Sequence, residues 1–201
     1  MFTARVFIVA ALGALVLAGG SLAVGNDVIH GTPGDDTLTG TPGRDVIYAK
    51  AGNDTVFARE AADLVHGGPG NDVAHGNQGD DAVHGGEGSD ELHGNSGNDY
   101  VSGGPGDDVV RGGGEGDLVH GGAGNDRIWV GRGADRQLGG PGDDVMHALA
   151  NDDQPDYADC GPGYDELWLS ERERGLYRYR ECEVVHWIVP TPEQEAEDEA
   201  E

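Results

Sequence analysis

The chain has 201 residues, a formal net charge of −26 and a mean hydropathy of −0.49, and only Lys50 and eleven arginines oppose its acids. That balance argues against nucleic acid and anionic lipid as partners and in favour of cations. Glycine and proline supply 37 and 9 residues, a share that would mean disorder in a chain without a repeat.

Residues 1–24 differ in kind from the rest. Arg5 precedes an apolar run over residues 6–18, followed by Gly19, Gly20 and Ser21-Leu22-Ala23. The run is short for a membrane span of ~20 residues, and Ser21 and Ala23 fit a small-x-small cleavage rule. This predicts a signal peptide over residues 1–23, cut after Ala23. An uncleaved N-terminal anchor is the alternative. Both readings place the remainder outside the cytoplasm, as a secreted protein or one held at the outer cell surface. No later segment is apolar enough for stable membrane insertion after signal removal.

Gly25-Asn26-Asp27-Val28-Ile29-His30 is the back half of a repeat unit, in register with the array that begins at Gly31. Residues 31–147 divide without a gap into thirteen nonapeptides, from GTPGDDTLT to GGPGDDVMH. The sixth place is aspartate in all thirteen: Asp36, Asp45, Asp54, Asp63, Asp72, Asp81, Asp90, Asp99, Asp108, Asp117, Asp126, Asp135 and Asp144. The fourth place is glycine except at Ala61 and Glu115, and the eighth is apolar except at Gln137. A fixed period over this length outranks local propensity.

The period has a physical reading. Glycines at places one, two and four allow φ > 0 and turn carbonyls inward. Aspartate at place six adds a hard charged oxygen, so the donor set suits Ca²⁺ rather than a softer metal. The last three places read as a minimal strand with place eight inward. Two nonapeptides make an 18-residue coil, and successive coils stack at the strand spacing of roughly 4.8 Å. Carboxylates stacked at that distance repel by ~0.9 kcal/mol in water and ~3.5 kcal/mol at an effective dielectric near 20. The column therefore calls for cations.

On these residues the chain resembles the RTX-type (hemolysin-type) nonapeptide-repeat calcium-binding β-roll proteins. The resemblance implies an all-β, right-handed parallel β-roll solenoid over residues 24–147. It implies several Ca²⁺ ions between successive turns, held by the thirteen aspartates and by turn carbonyls. Relatives of this kind accompany proteases, lipases, toxins or epimerases, but no such catalytic part is present, nor is GxSxG or HExxH. A non-enzymatic chain is expected. The N-terminal signal departs from the C-terminal export signal of the toxins.

The two edges of such a roll differ. Asp36, Asp54, Asp72, Asp90, Asp108, Asp126 and Asp144 share one edge, with glycine at every fourth place. Asp45, Asp63, Asp81, Asp99, Asp117 and Asp135 share the other, together with Ala61, Glu115, the first-place Val130 and a fifth-place Arg44. The first edge is expected to hold an unbroken ion column and the second an interrupted one, with the block of Ala61 and Ala62 the weakest. Seven of the eight histidines (His30, His66, His75, His84, His93, His120 and His147) fall in the outward ninth place. Pairs one strand apart suggest transition-metal chelation; a tolerated polar residue on a solvated face is the plainer reading.

After His147 the period breaks, and residues 160–168 restore it with Asp165 in the sixth place. Residues 148–189 are expected to cap the open end of the solenoid with Trp168, Tyr177, Tyr179 and Trp187. Stacking of a polysaccharide or other cell-surface glycan on these rings is the alternative. Cys160 and Cys182, the only cysteines, are expected to form a disulfide in an exported chain. A metal or redox pair has no CxxC to support it. Residues 190–201 are acidic and aperiodic, which predicts a disordered tail.

Overall fold

The computed structural model describes residues 26–150 and 152–194, together with the backbone of Val6–Ile8 and Leu15–Val16. Among these residues the strands alternate between two ten-stranded parallel sheets, odd-numbered strands in one and even-numbered in the other. This is a parallel β-solenoid. Within the repeats each strand pairs with the one 18 residues on: Leu64 with Ala82, Val83 with Val101, Leu92 with Val110. The predicted signal segment and its cut lie outside the described residues, apart from the two short strands, which pair with Val28–His30 and Thr37–Thr39.

Place eight faces inward throughout. Ile47, Val65, Val83, Val101 and Val119 form one buried column, and Leu38, Val56, Ala74, Leu92, Val110, Ile128 and Met146 the other. Each large side chain so buried contributes ~1.5–3 kcal/mol. Gln137 occupies the same place, fully buried, with neither amide atom hydrogen-bonded.

The central strands are longer than the three residues predicted. Leu64–Pro69 and Val109–Gly114, for example, run on through places one to three. The physical reason is that these places still pair along the stack: the Lys50 amide donates to the Gly67 carbonyl and the Ala49 amide to the His66 carbonyl, both at 2.8 Å. Only places four to six turn.

The C-terminal region absorbs its three extra residues at one edge. The spacing there becomes 21, so that Gln137 pairs with Ala158 and Met146 with Leu167. Cys160 and Cys182 are bonded, with Cα atoms 5.2 Å apart. Buried Tyr177 donates to the Ala148 carbonyl at 2.8 Å and packs edge-on against Trp187. Where a disordered tail was expected, residues 192–194 form one helical turn. The Thr191 amide donates to Gln194 Oε1 at 3.0 Å, and the Gln194 amide to Thr191 Oγ1 at 3.3 Å, a reciprocal cap. Residues 195–201 lie outside the described residues.

Candidate metal centre

All thirteen sixth-place aspartates are buried and form two continuous ladders, one along each edge. In each step the amide of one aspartate donates to Oδ1 of the aspartate one coil on. Asp72 to Asp90 and Asp90 to Asp108 are 2.8 Å; Asp63 to Asp81 and Asp81 to Asp99 are 2.7 Å. Sequence reasoning stacked the carboxylates and missed this bond, which offsets part of their repulsion. The ladders also run past the repeat array. Asp27 donates to Asp45, Asp135 to Asp156, Asp144 to Asp165, and Asp165 to Glu183 Oε2. The sixth-place register of Asp27 and Asp165 was readable in the sequence; that of Asp156, behind the insertion, and of Glu183, with its longer side chain, was not.

The second oxygen of the carboxylate carries the chemistry. Oδ2 of Asp54, Asp63, Asp72, Asp81, Asp90, Asp99, Asp108, Asp117, Asp126 and Asp144 is buried and without a hydrogen-bond partner. An unpaired buried carboxylate oxygen costs several kcal/mol unless a cation or a proton meets it. Burial is the leading cause of the upward shift of these acids, and the neighbouring carboxylates of the ladder add to it. Asp54 is pushed up to about 6, Asp81, Asp108 and Asp144 to about 7, Asp63 to about 8 and Asp117 to about 9, although each accepts a backbone amide that pulls the other way.

First-place glycine is needed for space rather than for φ. A Cβ on Gly76 would lie 2.5 Å from Asp81 Oδ2 and 2.7 Å from the Gly94 carbonyl oxygen; one on Gly112 would lie 2.5 Å from Asp117 Oδ2 and 2.7 Å from the Val130 carbonyl oxygen. A carboxylate oxygen and a carbonyl of the next coil thus converge on a gap that only glycine leaves open. Val130, expected to resist a left-handed backbone, is not at positive φ; it is a buried strand residue whose side chain projects where that gap would be. Positive φ belongs to places two and four, as at Gly68 (+121°) and Gly70 (+144°). Ala61 and Glu115 take the same turn at +73° and +75°, which is why the ladder on their edge is not broken there. Each coil brings one sixth-place carboxylate to an edge, and among the described residues no three His, Cys, Asp or Glu side chains gather as a metal cluster. An ion at these sites takes its remaining ligands from carbonyls, the hard oxygen set that suits Ca²⁺. The first edge opens to solvent in a depression of about 270 Å³ beside Asp108 and Asp126, between Asp107 and Asp143.

The sequence profile of the RTX calcium-binding nonapeptide repeat matches seven stretches, adjoining or overlapping: residues 24–56, 57–92, 75–110, 84–119, 102–137, 111–146 and 120–154. Together they span residues 24–154 without a gap, well over half the chain. The chain belongs to the RTX calcium-binding nonapeptide-repeat family. No curated protein matches it closely enough to count as a relative. The RTX repeats and the aspartate ladders together support calcium binding, and the repeat region is a non-catalytic scaffold.

The outward columns of this RTX roll stack as the register requires. His66 and His84 have ring centroids 5.1 Å apart, and His75 and His93 4.5 Å, in near-parallel planes. The nitrogen lone pairs of parallel rings point side by side instead of converging on one ion, so the pairs are poorly set to chelate. Trp168 lies between His147 and His186, and its ring centroid is 3.9 Å from that of His186. One of its faces is therefore covered by the His186 imidazole, while His147 lies 6.2 Å from the ring on the other side.

Proposed function

We propose that this chain is an exported, non-enzymatic β-roll that folds on extracellular Ca²⁺ and serves a structural or adhesive role at the cell surface or in the matrix. The observation that carries the reading is the repeated pairing of a buried, unpartnered Oδ2 with a next-coil carbonyl over a gap reserved by glycine. Aspartate and carbonyl hold the ion, and the ion supplies the charge that lets stacked carboxylates coexist. Extracellular calcium modules work at roughly 10⁻⁴–10⁻³ M, a concentration the cytosol does not reach. The Cys160–Cys182 bond fits an oxidising compartment. Among the described residues no helix is long and apolar enough to cross a membrane. The division into signal peptide, roll, cap and acidic tail belongs to the same proposal.

The test is circular dichroism with and without EGTA, combined with calcium counting. At tenfold excess each independent site adds ~1.4 kcal/mol, so about eight sites add ~11 kcal/mol, comparable with the whole stability of a domain. At pH 8.5 chelation should remove most of the β signal. A spectrum unchanged by EGTA, with no bound calcium, would overturn the reading.

A further inference from the structure

The ladders look alike along their length, but the turns do not. In turn 31–36 the Thr32 amide donates to Asp36 Oδ2 at 2.5 Å, and Thr32 Oγ1 lies 2.9 Å from the same oxygen. In turn 40–45 the Thr41 amide donates to Asp45 Oδ2 at 2.5 Å and Thr41 Oγ1 donates to Oδ1 at 3.1 Å. Neither Asp36 nor Asp45 is among the carboxylates with an orphaned buried oxygen. Both also stand slightly farther from the first-place gap: a Cβ on Gly31 or Gly40 would lie 2.9 Å from Oδ2, against 2.5 Å at Gly76 and Gly112. The ammonium of Lys50, the chain's only lysine, donates to the Gly31 carbonyl. The carbonyl that faces the Asp36 gap, however, is that of Ala49, so Lys50 lies beside this turn rather than in its gap.

The next turns close the gap differently. Ala49 and Ala58 stand at the first place of the turns of Asp54 and Asp63, both fully buried, and each puts a methyl where glycine leaves space. From Gly67 the first place is glycine in every turn up to Gly121, and again at Gly139, with Val130 the one exception.

We propose that calcium is confined to the turns of Asp72, Asp90, Asp108, Asp126 and Asp144 on one edge and Asp81, Asp99 and Asp117 on the other, and that residues 26–66 form a calcium-free end of the roll closed by Thr32, Thr41, Ala49 and Ala58. The inference rests on the calcium reading above and narrows it. The N-terminal coils replace the ion with two hydroxyls and two methyls and bury their inward residues (Ile29, Leu38 and Ile47) fully. They present the first calcium-dependent coil with a formed strand edge on which to pair.

Calcium titration of the full chain, read as ions bound at saturation, decides the matter. Asp36→Asn with Asp45→Asn should leave the count unchanged, whereas Asp90→Asn with Asp99→Asn should remove about two ions. Equal losses from both pairs overturn the inference and leave the calcium reading intact; a wild-type chain that binds no calcium overturns both. If the Asp36/Asp45 pair fails to fold in saturating calcium, Ala49→Gly with Ala58→Gly decides. It should raise the count above wild type, and an unchanged count overturns the inference.

Discussion

In turn 31–36 the carboxylate of Asp36 is closed by the amide and hydroxyl of Thr32; in turn 67–72 the corresponding oxygen of Asp72 is buried with no donor. Both aspartates sit at the same place of the repeat, and both take a backbone amide on Oδ1 or pass one up the ladder. What separates them is the residue at place two, threonine against glycine. The aspartate column alone therefore does not mark an ion site. It builds the ladder everywhere, and becomes a cation site only where places one and two leave Oδ2 exposed to an empty gap. In the N-terminal coils Asp36 and Asp45 take donors from Thr32 and Thr41, while Asp54 and Asp63 keep an unpartnered Oδ2 beside a first-place methyl. On the proposed reading the central coils, with glycine at place one and an open Oδ2, lean on a ligand.

The largest effect that sharpens this contrast is the response to pH in the absence of calcium. The raised carboxyls hold their protons in the folded chain up to about 6 for Asp90, Asp99 and Asp126, about 7 for Asp81, Asp108 and Asp144, and about 9 for Asp117. In the unfolded chain they release them near 3.8. Between these limits the folded state binds more protons. Stability is thus fully present below the unfolded value and is lost as pH rises through about 6 to 9. Buried histidines act in the opposite sense below about 6.5, since His147 is lowered to about 4 and His75, His84 and His93 are also lowered, each chiefly by burial. The aspartates outnumber them. Asp54 and Asp63, raised to about 6 and about 8, respond in the same way. In EGTA the β spectrum should be strong near pH 5 and fade by pH 8.5, with amide exchange rising first over residues 54–147; calcium should restore it at pH 8.5. A calcium-free chain equally folded at both pH values would show that the open oxygens impose no strain.

Much of this was legible beforehand. The nine-residue period gave the two sheets, the 18-residue register, the inward eighth place and the stacked histidines, because strand pairing comes directly from a fixed repeat. The single pair of cysteines gave the disulfide. Three things were not legible. The amide-to-Oδ1 bond depends on how far a carboxylate reaches between coils, which no spacing reveals. The first-place glycine was read as a φ requirement, when its role is to leave room for Oδ2 and a carbonyl. Thr32 and Thr41 were passed over because the repeat pattern directs attention to aspartate and glycine, while a hydroxyl at place two replaces an ion without disturbing the period.

A smaller effect is expected at Gln137. Its neighbours in the inward column are Val119 and Ala158, and its amide is buried without partners. Burying an unpaired amide costs ~1–3 kcal/mol. Gln137→Leu keeps the volume and removes that cost, so the midpoint of urea unfolding in saturating calcium should rise by the equivalent of ~1–3 kcal/mol with the ion count unchanged. If the weakness of the central and later coils lies in their carboxylates, core repair at Gln137 leaves the ion sites alone; a gain accompanied by a changed ion count would show that core and ion sites are not separable.

The smallest effect distinguishes the two edges. Non-glycine residues at positive φ fall mostly on the edge of Asp63, Asp81, Asp99 and Asp117: Arg59, Ala61, Asn77, Asn95 and Glu115, against Lys50 alone on the other edge within the repeats. A left-handed residue costs roughly 1–2 kcal/mol when it carries an ordinary side chain, and asparagine pays less because its short amide tolerates the conformation. Replacement by glycine removes that strain but adds roughly 0.5–1 kcal/mol of unfolded-state entropy. The difference leaves a net gain of ~0.5–1 kcal/mol for Ala61→Gly and for Glu115→Gly, and close to none for Asn77→Gly. Glu115→Gly also removes a negative charge that helps to raise Asp117 and would attract a cation there, so it should weaken calcium binding on that edge, whereas Ala61→Gly, beside the methyl-filled gap of Asp63, should raise stability without altering calcium affinity. Denaturation midpoints and calcium titrations of the three variants separate these outcomes. If all three leave stability and affinity at wild-type values, the two edges are energetically equivalent and the difference between the ends of the roll stands alone.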